Sequence, residues 1–176
     1  MEQGHAQDHA HFSVDLPYPQ VLPGCDPQAA ALLMEDYSGI TSELSAITQY
    51  FYASTRMRGH CDEVYNAMKY IAVVEMHHLD LLSQAITAKG GDPRYVLYGG
   101  RKPEQFWNAG VIEYGKSRSN ILLESIQSEQ GAIEQYQCHI RCIQDESVKA
   151  LLRRIIMDEE VHLHTFIDLY RKFEAR

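Results

Sequence analysis

A chain of 176 residues is long enough for one domain, or for one domain with an arm. Its 16 Lys and Arg stand against 24 Asp and Glu, a net charge of −8, which argues against a nucleic-acid partner. A hydrophobic content of 45% excludes a disordered chain, and no apolar run reaches the roughly 18 residues that a membrane span needs.

Met1 to Gln7 is polar and lacks the basic-then-apolar order of a secretory leader, so a cytoplasmic location is expected. The four cysteines include no Cys-x-x-Cys pair, which suits a reducing compartment. Cys138 and Cys142 share a helix face and are expected as small core residues, with a redox or metal role as the alternative.

Residues 1–25 read as an extended arm. It carries His5, His9 and His11 and then Pro17, Pro19 and Pro23, and a solvated tail is expected over a metal-catching one. Asp26-Pro27 is a helix start, and Leu32, Leu33, Ile40, Leu44, Ile47, Phe51 and Ala53 recur near the helical period, so one long helix to about Met57 is predicted. Arg58-Gly59-His60 breaks it. A second helix follows from about Asp62 to Lys89, stopped by Gly90-Gly91-Asp92-Pro93.

Residues 92–116 are rich in Gly, Pro and aromatics and read as a long crossover, with a short helical turn near Glu104 to Asn108. A third helix is expected from about Lys116 to Gln144. After an Asp145-Glu146-Ser147 turn, a fourth is expected from about Val148 to Phe173. Strand-like alternation is absent. Two helical hairpins joined by a long crossover make an all-α four-helix bundle over 26–176.

The hairpins repeat. Glu43-Leu44-Ser45-Ala46-Ile47-Thr48-Gln49-Tyr50 matches Glu129-Gln130-Gly131-Ala132-Ile133-Glu134-Gln135-Tyr136, and Ile71, Glu75, His78 and Leu79 match Ile155, Glu159, His162 and Leu163. Glu43, Ala46, Ile47 and Tyr50 form one inward stripe. Glu75 and His78 sit in an apolar stretch that must be core, where an unpaired charge costs many kcal/mol. Four carboxylates and two imidazoles thus converge, which is tolerable only if cations join them. Two divalent ions balance the charge, and this mixed ligand set suits iron or manganese.

A Glu from each of two helices plus Glu-x-x-His from each of two others resembles the ferritin-like superfamily of di-iron and di-manganese carboxylate proteins. Glu43 to Phe51 resembles the first helix of bacterioferritins, and Asp158-Glu159-Glu160-Val161-His162 the Asp-Glu-Glu-x-His of their fourth. The resemblance implies that Glu43 and His78 serve one metal, Glu129 and His162 the other, with Glu75 and Glu159 bridging. It places Tyr50 and Tyr136 beside the metals as candidate catalytic residues that steer oxygen species or donate an electron; core packing is the alternative. Asp158 is expected to orient a ligand histidine, one-sidedly, because its counterpart in the first repeat is Val74.

Met76 occupies a position where bacterioferritins hold haem, but haem is not expected here. His77, His164, Glu124 and Glu134 are expected off the metal face. Unlike rubrerythrins, the chain has no paired Cys-x-x-Cys motifs, and Ala132 stands where they carry an extra Glu. Arg176 follows His162 too closely for the fifth helix of storage ferritins. The resemblance therefore implies a dinuclear oxidoreductase acting on peroxide or dioxygen, rubrerythrin-like or manganese-catalase-like, with a bacterioferritin-like ferroxidase as the alternative. A homodimer, with the long crossover and the arm covering the neighbouring subunit, is expected, and a peroxidase would need an external electron-donor protein.

Overall fold

The computed structural model describes residues 12–97 and 105–174. The histidines His5, His9 and His11, and Gly99, Gly100, Pro103 and Glu104 of the crossover, lie outside them. Helix α1 (Pro27–Ser38) starts where the Asp26 carboxylate accepts the Ala29 N–H at 2.9 Å and Pro27 fills the first helical position.

The expected single helix to Met57 is in fact two. At Gly39 a Cβ would press to 2.5 Å from the Glu35 carbonyl oxygen. The chain leaves the helix there and restarts as α2 (Glu43–Met57), whose cap Ser42 accepts the Ser45 N–H at 3.3 Å. The break resets the helical phase, so Ile40 lies 70% exposed and does not belong to the inward stripe; Phe51, 62% exposed, also points out. A period read straight through a glycine cannot register such a reset.

Helix α3 (Asp62–Ala88) ends in Lys89 and Gly90, the latter in the left-handed region at φ +83°, a conformation glycine adopts without a Cβ penalty. Helix α4 (Arg118–Cys142) is capped by Ser117, which accepts the Asn120 N–H at 3.1 Å. Asp145 accepts the N–H groups of Ser147 and Val148 at 2.9 and 3.2 Å, so α5 (Glu146–Glu174) begins two residues ahead of the expected Val148.

The crossover departs from expectation. In place of a helical turn at 104–108, β1 (Val96–Leu97) pairs antiparallel with β2 (Gln105–Phe106), and a 3-10 turn follows at Ala109–Val111. Strands this short leave no alternation to read. The Trp107 indole N–H donates to Ser45 Oγ at 3.0 Å and the Glu113 N–H to Gln49 Oε1 at 3.0 Å, seating the crossover on α2.

Helix α2 packs along α3 and α4 along α5, with α1 also against α3. Two apolar clusters divide the core. One gathers Leu33, Leu82, Ile86, Leu151, Leu152 and Ile155; the other Val64, Met68, Ile71, Leu122 and Phe166. Tyr136 belongs to the first and Tyr50 to the second, so the polar centre that both tyrosines face is walled by apolar side chains.

The described part of the arm is not a solvated tail. Residues 12–25 run over the bundle: Phe12 packs against the second cluster, and Tyr18 and Val21 against the first. Buried Lys89 donates to the Leu22 carbonyl at 2.7 Å and pairs with Asp145, tying the arm to the ends of both hairpins. Among the described residues no helix is long and apolar enough to cross a membrane. Cys138 and Cys142 are not core residues either; both are exposed on α4, because the inward side of that helix is taken by Glu129, Tyr136 and His139.

Candidate metal centre

Each hairpin delivers three polar side chains to the bundle interior. Glu43 opens α2 and Glu129 lies mid-way along α4. Glu75 and His78, one turn apart on α3, sit among the buried Ile71, Ala72 and Val74; Glu159 and His162 repeat the arrangement on α5. All six are at most 4% exposed.

They form two overlapping groups. Glu43, Glu75, His78 and Glu159 offer ligand atoms within 4.8 Å of one another, and so do Glu75, Glu129, Glu159 and His162. Glu75 and Glu159 belong to both. His78 Nδ1 lies 2.9 Å from Glu75 Oε2 and 3.1 Å from Glu159 Oε1; His162 Nδ1 lies 3.2 Å from Glu159 Oε2 and 3.0 Å from Glu75 Oε1. Glu43 and Glu129 stand farther out, each 3.8 Å from the histidine of its own group.

The donor set fits divalent cations. Glu75 Oε1 and Glu159 Oε1 are buried and have no hydrogen-bond partner, although an imidazole nitrogen lies 3.0 and 3.1 Å from them. An unpaired buried carboxylate oxygen is costly, and one cation in each group would satisfy both. Oxygen and imidazole donors without a thiolate match iron or manganese.

Protons are shared unequally among these groups. Burial first, then the charges of Glu159 and Glu75, pushes Glu43 well above the usual carboxylate range; burial and the same two charges raise Glu129. Burial and the Glu159 charge also oppose ionisation of Glu75, yet His162 and His78 outweigh them and hold it below its ordinary value; the two histidines do the same for Glu159. Burial disfavours both imidazoliums, but the surrounding carboxylates win and raise both histidines.

The tyrosines cross between hairpins. Tyr50 of α2 donates to Glu129 Oε1 at 2.5 Å, and Tyr136 of α4 donates to Glu43 Oε1. Burial, then the carboxylate each one meets, raises both phenols well above their ordinary value, so each keeps its proton and acts as a donor.

Sequence reasoning missed several partners. Asp158 Oδ2 lies 3.1 Å from His78 Nε2, as the sequence suggests, but Asp158 is itself held by Tyr18 Oη at 2.6 Å, the Val14 N–H at 2.7 Å and Arg154 Nη1 at 2.8 Å. Although burial opposes it, these partners and His78 keep Asp158 ionised, lowered to about 2. His162 Nε2 meets the Phe12 carbonyl at 2.9 Å. The Arg154–Asp158 pair is legible as an i, i+4 charge pair; the backbone carbonyl of an arm leaves no signal at all.

A cavity of about 10 Å³ lies between α2 and α4, lined by Glu43, Ala46, Tyr50, Glu129, Ala132 and Tyr136. That is room for one water-sized molecule. Its wall also includes Asp36, which accepts from Gln135 at 2.8 Å and lies 2.9 Å from His139 Nδ1, a buried polar pair that the sequence did not single out. His77, His164, Met76 and Glu134 are exposed, whereas Glu124, expected in solvent, is half-buried and accepts from the Gly115 backbone.

No protein-family model matches the chain. It is 24% identical over 164 residues to a probable manganese catalase of Clostridium acetobutylicum, spanning 84% of this chain and 72% of that one. KatB, a manganese catalase from Anabaena, superposes with a TM-score of 0.80 at 25% identity over 93% of this chain and 80% of its own. The bacterioferritin BfrA of Mycobacterium tuberculosis superposes with a TM-score of 0.71 at 24% identity, over 88% of this chain and 90% of its own. The fold is the ferritin-like four-helix bundle.

Proposed function

We propose that this ferritin-like chain is a dinuclear manganese oxidoreductase that disproportionates hydrogen peroxide, in the manner its manganese-catalase relatives are named for. One observation carries the reading: two buried four-residue groups able to hold a cation share Glu75 and Glu159, so both carboxylates would serve two ions. Glu43 and His78 would hold one ion, Glu129 and His162 the other, and Glu75 and Glu159 both. Two adjacent ions would supply two-electron chemistry, one electron each, so that one peroxide is cleaved to water and a second is oxidised to dioxygen with its O–O bond intact, without releasing a radical.

The protein's own groups do the rest. Each histidine turns Nδ1 to the centre and keeps its Nε2 proton on an outer acceptor, which fixes the tautomer and the ring plane. Tyr50 and Tyr136 hold the outer oxygens of Glu129 and Glu43 and keep a proton within reach of the cavity. Ala46 and Ala132, three residues after those glutamates, line the small cavity beside the centre, through which a substrate as small as peroxide would approach. The same reading takes a homodimer in a reducing compartment, with an external electron donor needed only if peroxide is reduced without being disproportionated.

The test is reconstitution with Mn(II) or Fe(II), followed by oxygen-electrode and ferroxidase assays. The manganese form should release one dioxygen for every two peroxides consumed. Rapid oxidation of many Fe(II) per chain, with no dioxygen from peroxide, would establish the bacterioferritin-like alternative instead.

A further inference from the structure

The internal repeat fails at one functional position. Asp158 stands four residues before His162 and crosses the bundle to His78 Nε2. By the same symmetry His162 should receive its acceptor from position 74, four residues before His78. Position 74 is Val, buried and without an acceptor. The Phe12 carbonyl takes that place from outside the repeat, 2.9 Å from His162 Nε2.

The arm is anchored for this. The Phe12 ring stacks on Tyr70 at 6.4 Å and 17°. Arg154 donates through Nη2 to the Val14 carbonyl at 2.6 Å and through Nε to the Leu16 carbonyl at 3.0 Å, and its guanidinium lies 4.2 Å above the Tyr18 ring. Val14 N–H and Tyr18 Oη close the clamp on Asp158.

We propose that residues 12–18 form an outer wall of the metal centre, with Phe12 as the positioning residue for His162, so that arm docking and metal binding are coupled and the two metal positions are inequivalent. This rests on the ligand assignment proposed above. A donor N–H held by an acceptor orients the ring and raises the basicity of the metal-facing nitrogen. His78 has a carboxylate for that purpose, tied into the bundle by Arg154; His162 has a neutral carbonyl whose position depends on a docked arm. Val14 and Tyr18 of the arm also reach Asp158, but that carboxylate keeps Arg154 as a partner within the bundle, whereas His162 Nε2 has only the Phe12 carbonyl. The His162 position is therefore the weaker one and depends most on the arm. Because coupling is reciprocal, metal at the centre must hold the arm down by the same factor by which the arm holds the metal.

Mn(II) titration followed by electron paramagnetic resonance tests this without any turnover, since a spin-coupled pair and a single ion give different signals. Wild type should take up two ions. Phe12→Ala, which leaves all six ligands, Asp158 and Arg154 in place, should keep one ion at unchanged affinity and bind the second about tenfold more weakly. Phe12→Leu, which preserves the packing, should restore the pair. In wild type, hydrogen exchange of the Val14 amide should slow on Mn(II) loading relative to the chelated protein. Two ions at undiminished affinity in Phe12→Ala, equal weakening of both, or metal-independent exchange at Val14 would each overturn the proposal while leaving the ligand assignment standing. Fewer than two ions in wild type would instead sink the ligand assignment, and the inference with it.

Discussion

Replacing Glu43 with Gln separates the electrostatic cost of the centre from its metal affinity. Glu43 is 4% exposed, accepts a hydrogen bond from the Tyr136 hydroxyl, and is held well above the usual carboxylate range by burial and by Glu159 and Glu75. In the metal-free protein it keeps a proton that the unfolded chain loses near pH 4.5. The folded state then binds more protons than the unfolded one, so its stability falls as pH rises from that value to the raised folded one. The rate of loss is about 1.4 kcal/mol per pH unit per such group. His78 and His162 add losses of the same sign above their ordinary 6.5. Glu75 and Glu159, held low, lose stability only on the acid side. A carboxamide at 43 keeps the volume and the acceptor for Tyr136 but has no proton to lose. Apo Glu43→Gln should therefore gain on apo wild type as pH rises, by roughly 3–6 °C in Tm per pH unit for a chain of this size. Thermal melts of both chelated proteins between about pH 5.5 and 8.5 decide it. A Tm difference that does not change with pH would refute the four-carboxylate cluster as the source.

Glu75→Ala removes a side chain common to both ligand groups, so elemental analysis of the loaded variant should find most of both ions gone; full occupancy would refute its shared role. Ala132→Leu fills the cavity beside Tyr136 at a cost of about 1–3 kcal/mol. It should retain two ions while losing most peroxide turnover, and unchanged turnover would mean that substrate enters elsewhere.

The helices and the six polar residues were legible in the sequence because they are local, periodic and doubled. Glu75 and His78 in an apolar run, repeated at Glu159 and His162, leave few explanations besides a shared centre, and the structure does bring all six together. The hairpin boundaries followed from Asp26-Pro27, Gly90 and Asp145, whose cap chemistry is written in adjacent residues.

What escaped the sequence depended on contacts between distant segments or on backbone sterics. The first helix ends at Gly39, where the extended backbone passes so close to the Glu35 carbonyl that only a residue without a Cβ fits, a steric requirement that no hydropathy period encodes. The outward turn of Cys138 and Cys142 follows from which side of α4 faces Glu43 and the cavity, a choice made by three other helices. The crossing of Tyr50 to Glu129 and of Tyr136 to Glu43 needs both hairpins docked. Tertiary structure alone made the arm part of the centre: the group that meets His162 is a backbone carbonyl, which every residue carries and which only the docked fold can aim.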